Sequence, residues 1–202
     1  MGALSKLEAV NRMLTAAGEF PVSTLSVTGS NDVTIAVQML DETSTMIQMA
    51  GTNTNTLFTT LTPDTSGKIY VADNIISLDT TGYSRDRNVA LEGRNPTYLV
   101  DLDDERTSTF AQGTELEVKM VLNLPFEDLE TADQYAACDL AARRYQYLTV
   151  GDQKTDAILQ EQAILSRIQS RAKDIRSRDA NFTRNTKSSW GAIGARRLIG
   201  PW

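Results

Sequence analysis

Histidine is absent from the 202 residues and cysteine occurs once. Without histidine the chain cannot build a Ser–His–Asp or Cys–His nucleophile, nor a Zn–His site. A single cysteine also excludes a zinc site made of thiolates alone. Aromatic residues make up only 6% of the chain, which leaves few platforms for stacking sugars. No apolar run approaches the ~18 residues that span a bilayer. The N-terminus has no signal-peptide core, so we expect a protein made and used without crossing a membrane by the secretory route. Any chemistry would fall to carboxylates, Lys, Tyr or a hard metal held by oxygen.

The chain is otherwise ordinary in composition, with 41% hydrophobic and 23% charged residues. Its length allows one or two domains and a real core. Cys138 sits inside a helical pattern and reads as a small buried apolar side chain. Charge is unevenly spread. Residues 167–202 hold nine Lys/Arg and two Asp/Glu, a net of +7, whereas residues 1–166 carry −13. A basic end on an acidic body suggests a tail that docks on a partner.

Hydrophobic periodicity places four helices. Leu4, Leu7, Val10 and Leu14 follow one helical face, closed by Gly18, and Pro21 forces the chain out of the helix. Residues 23–30 form a polar connection. Asn31 or Asp32 caps a second helix with Val33, Val37, Leu40 and Ile47 on one side and Gly51 near its end. A third runs over about 130–150, with alanines at 132, 136, 141 and 142 that permit close helix approach. The fourth, about 152–178, has Asp152 as its N-cap and places Ile158, Leu165, Ile168, Ala172 and Ile175 on one face. That face is expected to be buried, so that Ile168→Asp should cost several kcal/mol.

Between the helical pairs the texture changes to β-branched alternation and turn signals. Candidate strands are 57–61, 68–72, 75–78, 88–91, 97–102 and 114–124, separated by Pro63–Asp64, Ser66–Gly67, Thr81–Gly82 and residues 93–96. In the last strand Leu116, Val118, Met120, Leu122 and Leu124 face one way, and Glu117 and Lys119 the other. The expected fold is therefore α+β: an antiparallel bundle of about four helices (1–51 and 125–178), an inserted β-rich domain (52–124), and an extended basic C-terminal arm (179–202). Two tryptophans in that unpatterned arm are costly to leave in water. The arm either packs on its own domain or orders on another protein.

The run Leu7-x-Ala9-Val10-Asn11-x-x-Leu14-x-x-x-Gly18-Glu19-x-Pro21-Val22-Ser23-Thr24-Leu25 closely resembles the opening of the tail tubular protein A family. These are the head-to-tail adaptors, or gatekeepers, of T7-like short-tailed bacteriophages. Further similarity lies in Ile47-Gln48 with Gly51, in Tyr98 with Asp104, Arg106, Thr107 and Phe110, and in Leu124-x-Phe126-Glu127-x-Leu129. Ala141-Ala142-Arg143 and Gly151-Asp152 also fit. Thr52 stands where the family often has an aromatic residue, and Glu130 where it usually has proline. The resemblance covers roughly residues 4 to 175.

It implies a structural protein of the virion neck, assembled in the host cytoplasm as a ring of twelve copies. The ring sits between the portal protein and the tail nozzle protein (tail tubular protein B), and the double-stranded genome passes through it. No catalytic residue, cofactor or metal ligand is carried over. An acidic body suits such a conduit, because phosphate-binding Lys and Arg would retard the duplex. Asp101, Asp103, Asp104 and Glu105 are candidate acids of the channel wall, or else a solvated loop on the outside. In the arm, Trp190 and Trp202 are candidate anchors, with Arg184, Lys187, Arg196 and Arg197 pairing carboxylates on the portal or the adjacent copy. A second reading has those cations touching DNA, but they are too sparse for a recognition helix.

Two other functional classes remain. One is a tail-associated enzyme that hydrolyses polysaccharide with paired carboxylates, for which the acids at 101–105 and 127–130 are candidates. The other is a neck stabiliser that never touches the tail. Release of reducing ends from host polysaccharide would identify the enzyme, and pull-down with portal and nozzle proteins would separate the other two.

Overall fold

The computed structural model describes residues 2–26 and 31–177. Within them the chain runs α1 (Lys6–Ala16), α2 (Asn31–Gln48), β1 (Thr56–Leu61), β2 (Tyr70–Val71), β3 (Ile75–Thr80), β4 (Val89–Glu92), β5 (Thr97–Asp101), β6 (Leu116–Leu122), α3 (Thr131–Thr149) and α4 (Gln153–Ser177). The class is mixed α+β, as expected. The C-terminal arm lies outside the described residues.

Each of α1, α2 and α4 packs against α3. Leu4, Val10, Met13 and Leu14 join Leu40 of α2 and Phe126, Ala137, Cys138, Ala141 and Tyr145 in one apolar cluster. Small residues on α3 let the neighbouring helices approach closely. Helix α1 begins with a capping box: Ser5 Oγ accepts from the Glu8 amide, and the Glu8 carboxylate accepts from the Ser5 amide. It ends at Ala16 with Ala17 as its C-cap, and Gly18 takes the left-handed φ of +80° that reverses the chain.

Six strands form two three-stranded antiparallel sheets, in the orders β1-β6-β3 and β2-β5-β4. Strand β6 is central in the first sheet, which explains why its alternation was the clearest in the sequence. Leu116, Val118 and Met120 meet Leu99, Ile69 and Phe110 in a second cluster shared by the two sheets. Two strands are shorter than their sequence patterns suggest. Only Tyr70 and Val71 of 68–72 are in the ladder, paired with Tyr98 and Thr97. Strand β6 stops at Leu122 because Leu124 packs against the helical cluster instead.

The fourth helix corrects one expectation. Its inward face consists of Leu159, Ala163, Ser166, Ser170 and Asp174, of which Ala163, Ser166 and Ser170 are buried. Ile158, Leu165, Ile168 and Ile175 are 52–65% exposed. At roughly 100° per residue they lie on the side away from α3. The periodic stripe is real, but in the single chain it faces outward. Short side chains on the inward face are what bring α4 close to α3, and Gly151 (φ +69°) makes the tight reversal between them. The hairpin is held by polar contacts. Arg143 forks onto Asp156 at 2.8 and 3.2 Å, Lys173 meets Glu130 at 2.8 Å, and the Ser170 hydroxyl donates to Asp133.

Candidate functional site

Three regions bear on function: the acidic turn after β5, the junction between helices and sheets, and the outer face of α4. The turn gathers all four channel candidates, but they are not equivalent. Asp101 is buried at the end of β5, 4.0 Å from Arg87 Nη2, and accepts a hydrogen bond from the Asp103 amide at 3.0 Å. It is thus a structural part of the turn and not a solvent-facing acid. Asp103, Asp104 and Glu105 are exposed. The Asp103 carboxylate accepts from the Asn88 side chain at 2.7 Å and its amide at 2.9 Å. Those bonds hold its pKa below the usual carboxylate value. Glu105 and Arg106 both have left-handed φ, and Arg106 lies 3.7 Å from Glu92.

The other carboxylates singled out from the sequence, at 127–130, lie just before α3. Glu130 is paired with Lys173, and the Glu127 carbonyl accepts from Gln134. Among the described residues no group of three or more His, Cys, Asp or Glu is arranged to hold a metal ion. Cys138 is buried, and burial pushes its thiol up to about 12, so it is unreactive. Among the described helices none is long and apolar enough to cross a membrane. Arg184, Lys187, Trp190, Arg196, Arg197 and Trp202 lie outside the described residues.

The motif that opens the chain has a structural explanation. Asn11 clamps the exit loop through both ends of its amide, Nδ2 to the Val22 carbonyl at 2.9 Å and Oδ1 from the Val22 amide at 2.8 Å. Glu19 accepts from the hydroxyl of the buried Tyr145 at 3.0 Å. Burial and that carboxylate together raise the phenol's pKa. The motif thus fixes α1, its exit loop and α3 relative to one another.

Sequence reasoning missed the junction. Buried Gln48 at the end of α2 donates to the Leu124 carbonyl at 3.0 Å and accepts from the Leu124 amide at 2.7 Å. Buried Asn55 donates to the carbonyls of Gln48 at 3.0 Å and Leu122 at 2.9 Å, and accepts from the Thr52 amide. Both chain crossings between helices and sheets are therefore pinned by two neutral amides. Asn53 adds a bond from its backbone amide to Asp174 of α4 at 2.9 Å.

Shallow grooves flank α4. One of about 600 Å³ is lined by Glu8, Asn11, Arg12, Asp139 and Leu159, and one of about 480 Å³ by Tyr135, Gln162, Leu165 and Lys173. The sequence pattern of the family described as tail tubular protein matches residues 7–180. No curated protein matches the chain.

Proposed function

This chain belongs to the tail tubular protein family, structural components of bacteriophage tails, and on that premise we propose that it is the head-to-tail adaptor of a short-tailed phage. In this reading it assembles in the host cytoplasm into a ring, of twelve copies if it follows the resemblance, between the portal protein and the nozzle protein (tail tubular protein B). The antiparallel helical body (1–51 and 125–178) forms the ring and the β-rich insertion (52–124) is carried on it. Genomic DNA passes through without sequence-specific binding, repelled from exposed acids such as Asp103, Asp104 and Glu105. Asp101 serves that turn from beneath. The C-terminal arm (179–202) docks on the portal or the adjacent copy, with Trp190 and Trp202 as anchors and Arg184, Lys187, Arg196 and Arg197 pairing carboxylates.

The observation that carries this reading is the exposed apolar face of α4. A helix whose buried side is small and polar and whose open side is Ile158, Leu165, Ile168 and Ile175 is built to be covered by another chain. The test is an electron-microscopy map of the neck of the intact phage together with the sedimentation mass of the purified protein. A ring of this chain between capsid and tail is the expected result. Its absence from that junction would end the reading.

A further inference from the structure

We propose that the outer face of α4 is covered by the outer face of α2 from a second copy of this chain, in a head-to-tail contact; this rests on the ring reading above and specifies its interface. Helix α4 offers Ile158, Leu165, Ile168, Ala172 and Ile175, a three-four spacing that repeats every seven residues. Such a repeat lies along a straight seam and packs knobs into the holes of a second helix.

One other described helix carries a comparable outward seam. On α2 and the turn that follows it, Ile35, Met39, Glu42, Met46 and Met49 are spaced four, three, four, three. Ile35, Met46 and Met49 are exposed and Met39 is half-buried, packed in part against the chain's own core, while the opposite side of α2 supplies Val33, Ala36 and Leu40 to that core. The two seams have similar lengths, about 21 Å on α2 and about 26 Å on α4 at 1.5 Å per residue.

Charge fits the same pairing. Helix α2 carries Asp32, Asp41 and Glu42 and no Lys or Arg. Asp41 is taken by Lys6 at 2.7 Å; Asp32 and Glu42 have no ion pair among the described residues, and Glu42, at the centre of the seam, accepts a hydrogen bond from Gln38 at 3.0 Å. Arg167 and Arg171 lie one turn apart along one edge of the α4 seam, where they border a groove with Met46 and Ile175 of the same chain, and are also outside every described ion pair. Laid along α4, the acidic α2 seam therefore meets the helix edge that carries these arginines, with Glu42 within a turn of them. Because the seams belong to different helices, each copy keeps one α2 and one α4 face open after binding. The contact therefore propagates and closes into a ring where the rotation permits. A symmetric α4–α4 contact would stop at a dimer and leave the α2 seam bare.

The test uses two full-length variants, Ile168→Asp and Met46→Asp, each first checked for an unchanged melting temperature. Alone, each should stay monomeric in sedimentation, with association weakened at least ~30-fold, the loss expected for a central anchor. Mixed, they should form one-to-one dimers, since the α4 face of one and the α2 face of the other remain intact. If either substitution disturbs the fold, Glu42→Arg carries the test: it should weaken assembly, and Arg171→Glu in the same chain should restore it. Variants that still assemble as rings would overturn the contact and leave the ring reading standing. Dimers of Met46→Asp alone would identify the α4–α4 contact instead. One-to-one dimers from a wild type that grows open chains would support the contact and sink the ring. A wild type and mixture that both stay monomeric would sink both.

Discussion

Gln48 and Asn55 show how much a neutral amide can fix when it is buried with all its partners. Each bridges the two chain crossings, so truncation would strand backbone groups away from water. Gln48→Ala and Asn55→Ala should each lower stability by about 1–3 kcal/mol in urea unfolding. Only one hint of this was legible in the sequence: Gln48 lies on the same face of α2 as Leu40 and Ser44, a polar side chain where the pattern calls for an apolar one. Asn11 and Glu19 stood in the recognised motif, but spacing could not say what they bonded, because their partners Val22 and Tyr145 are set by tertiary packing. Asp133 gives a pH prediction. Burial between α3 and α4 raises its pKa above the ordinary carboxylate value, opposed by the Ser170 hydroxyl and by Lys173, and reinforced by Glu130 and Asp174. A carboxyl group with a raised folded-state pKa favours the fold most below its unfolded pKa of ~4, and that contribution is lost as pH rises through the folded value. Asp133→Asn keeps an acceptor for Ser170 without titrating. Its melting temperature should therefore fall less than that of the wild type as pH is raised, and parallel curves would refute the assignment.

At the level of elements, helix positions were readable to within a few residues because each helix carries a clear period, cap or stop. Strands were less so. The stretch 68–72 looks like a full strand, yet after Tyr70 and Val71 the chain turns at 73–74 towards Ile75. What a period cannot reveal is which side of a helix meets its own molecule. In α4 the inward contacts fall on Ala163, Ser166 and Ser170, residues whose sequence signal is weak because they are small. Two measurements follow. Ile168→Asp should leave the unfolding free energy of the monomer within about 0.5 kcal/mol of wild type, as for other exposed sites. Ser166→Leu, on the packed side, should cost about 1–3 kcal/mol through overpacking. The reverse ranking in chemical denaturation would show that the helix faces the other way.

For the whole molecule, the absence of histidine and the single cysteine excluded histidine-based triads and zinc sites before any geometry was known. The motif at the start of the chain pointed to the family that the match over residues 7–180 then showed. The proposed interface was not legible, because a surface that two copies would share leaves in one sequence only a stripe without a partner. Truncation after Arg178 should leave the melting temperature of the body unchanged while lowering the yield of intact particles in a complementation assay. Full particle yield would remove the arm from assembly. The junction formed by Gln48 and Asn55 has one more effect. Its bonds join uncharged groups inside the protein, where dissolved ions have almost nothing to screen. Strong brine should therefore loosen the proposed contact of Glu42 with arginine between copies well before it lets the sheets swing on the helices within any one chain.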